Sequence, residues 1–580
     1  MTRGGRLALR GFFLALCGAW LGAGSPAAAA DAKAAPPREL SVEKTFDNAP
    51  FRYRMQLTAQ RKGYRIYRLS YPSPVTTPVK QNNTVPADYY LPEGIEPGSA
   101  KRPAVICIHI LNGNYELVRM LCSALATRGI PAVMFKLPYY GERSLPGGRG
   151  ALARNPKLFV EALPQGIQDA RRTLDVLASR PEVDPRRIGI SGISLGGIVA
   201  ATAAGADPRI NRAALILSGG DLLQVIHHCR EARELSEFIK KLPAEDRAEI
   251  EKAVGEVDPL RHAAGLKDRA AAGKVLMVNA TGDNVIPRAC TEKLAAALGI
   301  SERVVWLEGL GHYTAILALP QTLRRTVDFF ALDMPPGVKG PEEAAAASRQ
   351  PLQVVAGLVT QAASFLTVEP AKGRCHLVDV EATVTDKAGK TYEGRIRFIR
   401  GWGHRFALQL EVPVVGKASL GQGAHPWIAS AKTVYCGVKG AGGGSQDPLA
   451  HADSKYVAKV RMLAGGVAAV SLAPSILEQA IEAREDRQGD GPPAIRITPK
   501  GKKRDSVRLV LQRDGKTPQS ATFDVDGVKG KVTFREWQAN TVAQDALFEP
   551  PAGLARRDVD RADIHRVFSA MFNFAMELTE

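Results

Sequence analysis

The hydrophobic pattern changes its period twice along the chain. From Phe51 apolar and polar residues alternate, as in Phe51-Arg52-Tyr53-Arg54-Met55-Gln56-Leu57, in 64–69 and in 85–92, with Gly and Pro breaks between them. Such alternation predicts antiparallel strands leading into a sheet. Short, nearly continuous apolar runs follow at 103–109, 131–136, 187–191, 212–220, 274–280 and 302–307. Stretches of helical period separate them at 117–128, 159–179 and 195–204, with another at 323–332. Runs of this kind, alternating with helices, specify an α/β fold with a doubly wound, mostly parallel sheet.

Past residue 335 the period returns to two. Strand candidates are 375–385, 391–400, 406–412, 433–438, 506–512, 520–525 and 531–536, and helical patterns cover 463–483 and 559–578. This predicts a separate, mainly antiparallel β domain with helices, either a sheet or an open half-barrel. A chain of 580 residues exceeds what one core organises, which agrees with such a division. The expected boundaries are 1–30 for a leader, 31–50 for an export linker, 51–335 for the α/β domain, 336–350 for a linker and 351–580 for the β domain. Residues 221–268, helical and highly charged, read as an insert between the fourth and fifth core strands, placed to cap a site.

The leader rests on Arg3, Arg6 and Arg10 ahead of the apolar run 11–21, and on Ala28-Ala29-Ala30 before Asp31. A basic start, a short apolar core and an Ala-x-Ala site define a secretory signal, and the run falls short of the ~20 residues a spanning helix needs. The mature chain is expected to be exported, periplasmic or secreted, with at most peripheral membrane contact. The full chain's formal charge of +18 comes from scattered Lys and Arg, with one dense run at 500–504 and no interleaved aromatics. That is a solvated basic surface, and nucleic acid is not an expected partner. The Cys residues lack Cys-x-x-Cys spacing, so neither a zinc site nor thioredoxin chemistry is indicated. Cys107 reads as a buried thiol, and a Cys375–Cys436 disulfide stays open.

The candidate chemistry begins at Gly192-Ile193-Ser194-Leu195-Gly196, which follows an Ile-rich strand and opens a small-residue helix. The Gly-x-Ser-x-Gly pentapeptide is common by chance; its strand-turn-helix setting makes it a nucleophile elbow, in which the serine is lifted above the sheet. A serine hydroxyl is a weak nucleophile and requires a histidine base held by a carboxylate. In chain order these are Asp283, in the loop after the fifth core strand, and His312, in the loop after the sixth. Asp221 is the reserve acid, and Asp258 reads as a turn residue. His227, His228 and Cys229 are adjacent, so they face different ways on a helix and suit packing or surface roles better than a metal. The oxyanion donors are expected to be the backbone N–H groups of Leu195 and Leu111, with Ile110 the second choice for the latter. His109 is placed to brace that loop. This mechanism requires no metal or organic cofactor.

Residues 84–330 resemble the dienelactone-hydrolase and acetyl-xylan-esterase-like branch of the α/β-hydrolases. The segments that carry the resemblance are 86–92, the Ile108-His109 strand end, Leu137-Pro138-Tyr139-Tyr140-Gly141-Glu142-Arg143 and the three loops just named. The resemblance implies a serine esterase. It also implies Gly after His109, where this chain has Ile110. Prolyl-type peptidases of the same superfamily carry a large propeller; roughly fifty residues ahead of the first core strand cannot build one at ~40 residues per blade, so exopeptidase activity is not expected. The region with Arg508-Leu509-Val510-Leu511, Val532-Thr533-Phe534-Arg535-Glu536-Trp537 and Leu547-Phe548-Glu549-Pro550 resembles the LolA/LolB-like carrier fold, which implies an apolar ligand in the C-terminal domain.

The expected function is an exported serine hydrolase cleaving a small-molecule, carbohydrate or lipid ester through an acyl-enzyme. The alternative is a periplasmic lipid- or lipoprotein-binding protein with a vestigial hydrolase domain, to which Ile110 points.

Overall fold

The computed structural model describes residues 36–61, 63–95, 98–111, 115–145, 156–229, 232–308, 310–338, 350–367, 370–403, 405–412, 416–430, 481–486, 491–500, 505–560 and 563–564. The leader at 1–30, Cys436, the strand expected at 433–438, most of the two helices expected at 463–483 and 559–578, most of the linker at 336–350 and most of the basic run at 500–504 lie outside them. The described residues divide into two compact units, one running to residue 338 and the other starting at 350.

The first unit is built on one ten-stranded sheet. In chain order its strands are β1 (Arg38–Val42), β2 (Phe51–Arg61), β3 (Tyr64–Pro72), β4 (Thr84–Pro92), β5 (Arg102–Ile108), β6 (Ala132–Phe135), β7 (Val183–Ile193), β8 (Ile210–Ile216), β9 (Val275–Ala280) and β10 (Val305–Leu307), and the spatial order is β1-β2-β3-β4-β6-β5-β7-β8-β9-β10. The pairs from β1 to β4 and the β4–β6 pair are antiparallel, while those from β6 to β10 are parallel. The sheet is therefore mixed rather than mostly parallel. One strand enters from the segment expected as linker at 31–50: Arg38–Val42 pairs with Phe51–Arg61 and buries Val42. Five residues are too short a stretch for alternation to stand out, and the partner strand supplies the order.

Every residue of β5 and β6 is buried, because helices cover both faces of a parallel core. Those helices include α1 (Glu116–Thr127), α2 (Pro156–Ala178) and α3 (Leu195–Ala206). The insert forms α4 (Leu222–His228), α5 (Arg233–Lys241) and α6 (Ala244–Glu256), followed by short helical turns to residue 271. Its apolar residues Leu235, Ile239, Val254 and Val257 join the central core, and it packs on α2 and α3, where Thr202 Oγ1 donates to Val257 O at 2.8 Å. α7 (Arg288–Leu298) and α8 (Leu319–Ala331) complete the unit.

The second unit opens with α9 (Gln350–Thr367), in a stretch to which the periodicity assigned no element. It lies against an antiparallel sheet of eleven strands: β11 (Arg374–Thr385), β12 (Thr391–Gly401), β13 (Phe406–Val412), β14 (Gly416–Gln422), β15 (Pro426–Ser430), β16 (Ile481–Glu485), β17 (Ala494–Pro499), β18 (Ser506–Leu511), β19 (Pro518–Val525), β20 (Val528–Val542) and β21 (Ala555–Asp558). Two meanders, β11 to β15 and β16 to β20, join through the long β11–β20 pair, and the sheet stays open, with β16 at one end and β21 at the other. Residues 481–483, expected at a helix end, belong to β16; pairing with β17 overrides the local helical period. One sheet face carries Val378, Val380, Ile495, Leu509, Val532 and Phe534, which pack with Leu352, Val355 and Ala356 of α9. Trp537 fixes the helix in place, its indole N–H donating to Gln361 Oε1 at 2.8 Å and its ring meeting Phe365 edge-on at 4.9 Å. Among the described residues no helix is long and apolar enough to cross a membrane.

Candidate active site

Ser194 sits between β7 and α3 with φ +57° and ψ −119°, a conformation that costs a non-glycine residue about 1–3 kcal/mol. Its neighbours hold it there: the Ser194 N–H donates to Ile216 O at 2.9 Å, and Ser194 O accepts from the Ile198 N–H at 3.1 Å. So sharp a turn forces backbones together. A Cβ on Gly192 would lie 2.0 Å from Gly196 O, and one on Gly196 would lie 2.4 Å from Ile108 O. Backbone atoms cannot move aside as side chains do, so Gly192→Ala is expected to give no folded protein in a soluble-expression and circular-dichroism assay. Gly255→Ala, where a Cβ meets nothing within 4 Å inside α6, is expected to gain about 0.5–1 kcal/mol in chemical denaturation.

Asp283 follows β9 and His312 follows β10. Because β9 and β10 are parallel neighbours, their following loops emerge at the same edge, and the Gly282 N–H donates to Leu310 O at 2.9 Å between them. Both Asp283 oxygens are used. Oδ1 accepts from the N–H groups of Val285 and Ile286 at 2.9 and 2.8 Å, while Oδ2 lies 2.8 Å from His312 Nδ1. His312 Nε2 is 3.0 Å from Ser194 Oγ. The carboxylate accepts the Nδ1 proton, so the Nε2 lone pair faces the serine hydroxyl. The Asp283 carboxyl is 2% exposed and the His312 ring 9%, so water competes little for either contact. This arrangement can remove a proton from Ser194 and later return it to a leaving group.

The other expected residues separate from this group. Asp221, at φ +57°, caps α4 through the Gln224 N–H and pairs with Lys293, whose ammonium holds its carboxyl below the usual carboxylate range. It is committed away from His312. Asp258 serves a turn, accepting from the N–H groups of Asp221, Leu222 and Leu260. His227 bonds Ser236 Oγ at 2.9 Å, His228 bonds Gln224 O at 2.9 Å, and Cys229 is buried. Among the described residues no group of three or more His, Cys, Asp or Glu could hold a metal ion.

Leu195 begins α3, where the first-turn N–H groups have no partner within the helix. Leu111 is described and residues 112–114 of its loop are not. His109 is buried, and burial, more than the nearby Lys136 and Arg143, lowers its pKa to about 4. It is neutral, with Nε2 accepting from the Leu137 N–H at 3.0 Å and Nδ1 lying 2.9 Å from Ile110 O. Tyr140, which is not among the expected site residues, donates its hydroxyl to Leu111 O at 2.5 Å. Its only sequence signal was its place in the Leu-Pro-Tyr-Tyr-Gly segment.

Strand order, elbow and loop positions together define the first unit as an α/β-hydrolase-like region of the serine-hydrolase type. Residues 164–330 match the prolyl oligopeptidase family. No curated protein matches the chain. Among solved structures, an acetyl xylan esterase from Paenibacillus sp. is 21% identical, over 49% of this chain and 90% of that one, with a TM-score of 0.37. A puromycin-hydrolyzing peptidase of Mycobacterium tuberculosis is 20% identical, over 52% of this chain and 40% of that one, at 0.34. The acylaminoacyl peptidase of Pyrococcus horikoshii is 16% identical, over 50% of this chain and 49% of that one, at 0.37.

Proposed function

We propose that the chain is an exported serine hydrolase that cleaves carboxylic esters. The observation that carries this reading is the Ser194–His312–Asp283 relay, with contacts of 3.0 and 2.8 Å. Ser194 Oγ attacks the ester carbonyl carbon as His312 Nε2 takes its proton. The oxyanion that forms is held by the N–H groups of Leu195 and Leu111. Collapse breaks the bond to the alkoxide, which leaves with the proton from His312. Water then attacks the acyl-enzyme by the same route, and the carboxylic acid departs. The α4–α6 insert shapes access to the serine.

Amide hydrolysis is the second reading, and the match to the prolyl oligopeptidase family favours it. The same relay serves both, since only the leaving group differs. The test is turnover by the purified mature chain of p-nitrophenyl esters of increasing acyl length and of aminoacyl p-nitroanilides, beside Ser194→Ala. Ester turnover that falls by about 10⁶-fold with Ser194 is expected. Ser194-dependent turnover of anilides alone would replace the ester reading with the amide one. No Ser194-dependent turnover of either would overturn the hydrolase reading.

A further inference from the structure

The loop after β5 raises a question that the relay does not answer: what aims the Leu111 N–H. In a trans peptide the carbonyl and the following N–H lie in one plane and point in opposite directions. The Ile110 carbonyl and the Leu111 N–H share such a plane, so a group that grips the carbonyl also aims the N–H. His109 grips it. With Nε2 occupied by the Leu137 N–H, the ring proton sits on Nδ1, 2.9 Å from Ile110 O. The next carbonyl along the chain, Leu111 O, accepts from the Tyr140 hydroxyl.

Tyr140 also holds His109 itself. Its ring meets the imidazole edge-on at 4.8 Å, and Tyr115 does the same at 5.0 Å. Burial pushes the Tyr140 phenol up, so its hydroxyl remains a donor. The segment that carries Tyr140 is anchored in turn. Its N–H donates to Leu137 O at 3.1 Å, and Tyr139, at φ +66°, is held by Asn82 Oδ1 at 3.1 Å. Neither Ile110 nor Leu111 has a positive φ, so this loop does not require the glycine that relatives carry after the histidine.

We propose that Tyr140 is a positioning residue for the oxyanion site, its hydroxyl on Leu111 O and its ring on His109 together setting the direction of the Leu111 N–H. The inference rests on the serine-hydrolase reading above. Tyr140 acts through Leu111 and His109, so removing its hydroxyl weakens stabilisation of the tetrahedral intermediate and leaves ground-state binding alone.

The experiment compares wild type, Ser194→Ala and Tyr140→Phe on whichever ester or anilide the wild type turns over best, and adds inhibition by a trifluoromethyl ketone that forms a tetrahedral adduct at the serine. For Tyr140→Phe, kcat is expected to fall about tenfold with KM within twofold, and inhibitor affinity to fall in parallel with kcat/KM. Equal kcat and inhibitor affinity in wild type and Tyr140→Phe would overturn the inference and leave the hydrolase reading intact. A raised KM with unchanged kcat would also overturn it, by making Tyr140 a substrate contact. Absence of Ser194-dependent turnover in the wild type would overturn the underlying reading and this inference with it.

Discussion

Asp283→Asn is expected to lower kcat by about 10⁴-fold while leaving the fold and the urea midpoint nearly unchanged. The asymmetry of the Asp283 carboxylate is the reason. Oδ1 holds the N–H groups of Val285 and Ile286, and an asparagine carbonyl oxygen accepts both equally well. That leaves the amide NH₂ facing His312 Nδ1, where Oδ2 had accepted at 2.8 Å. A donor there forces the imidazole proton onto Nε2, and the ring then donates to Ser194 Oγ instead of taking its proton. Steady-state kinetics on the preferred substrate, with circular dichroism as the folding control, checks it. A loss of less than tenfold would remove Asp283 from the relay. Asp221→Asn, by contrast, should leave kcat within a fewfold, since that carboxyl is engaged with Lys293 and α4.

A large loss of stability, measurable in a variant that still folds, is expected at Arg143. Its side chain is wholly buried, as is that of Asp169, and the two meet at 2.7 Å. Its remaining donors go to Asn82 O at 3.1 and 2.6 Å and to Lys136 O at 2.8 Å. Arg143→Met would fill much of the volume yet leave two carbonyls and a carboxylate without this partner. Breaking a buried pair in that way costs about 3–5 kcal/mol. Burial already raises the Asp169 pKa, and losing Arg143 removes the charge that most opposes that rise. Urea denaturation should show the midpoint falling accordingly, and adding Asp169→Leu should cost less than the two single losses combined. A single-variant loss under about 1 kcal/mol would contradict the assignment.

How much of the site was legible in the chain varies residue by residue. The elbow was legible because its causes are local: an Ile-rich strand, two glycines with no space for a Cβ and a small-residue helix stand within fifteen residues of one another. The positions of Asp283 and His312 were legible from the rhythm of strand and loop. Asp283 is preferred to Asp221 in the sequence because it follows the later core strand, although each follows one. What separates them is the β9–β10 pairing, which ties one loop to the His312 loop, and Lys293, which ties the other to α7.

The contacts that are silent in the sequence are those between residues far apart in it. Tyr140 reaches Leu111 across 29 positions through the β6 loop, and no local pattern announces that a tyrosine hydroxyl will meet a particular carbonyl. The second unit shows the same limit on a larger scale. Its alternating strands were visible where they are long and apolar, as in 406–412, but β14, with three glycine or alanine positions, and the charged β16 and β21 carry too little apolar signal to be seen. The pairing of β20 with β11 decides that two meanders become one sheet. Local propensity and periodicity set the elements, their chain order and the strained serine, because each depends on neighbours within a few turns of backbone. Which elements lie side by side, which carboxylate meets His312 and what holds the loop after β5 were decided by packing and pairing across the fold, where the energetics belong to contacts that exist only once the chain has closed on itself.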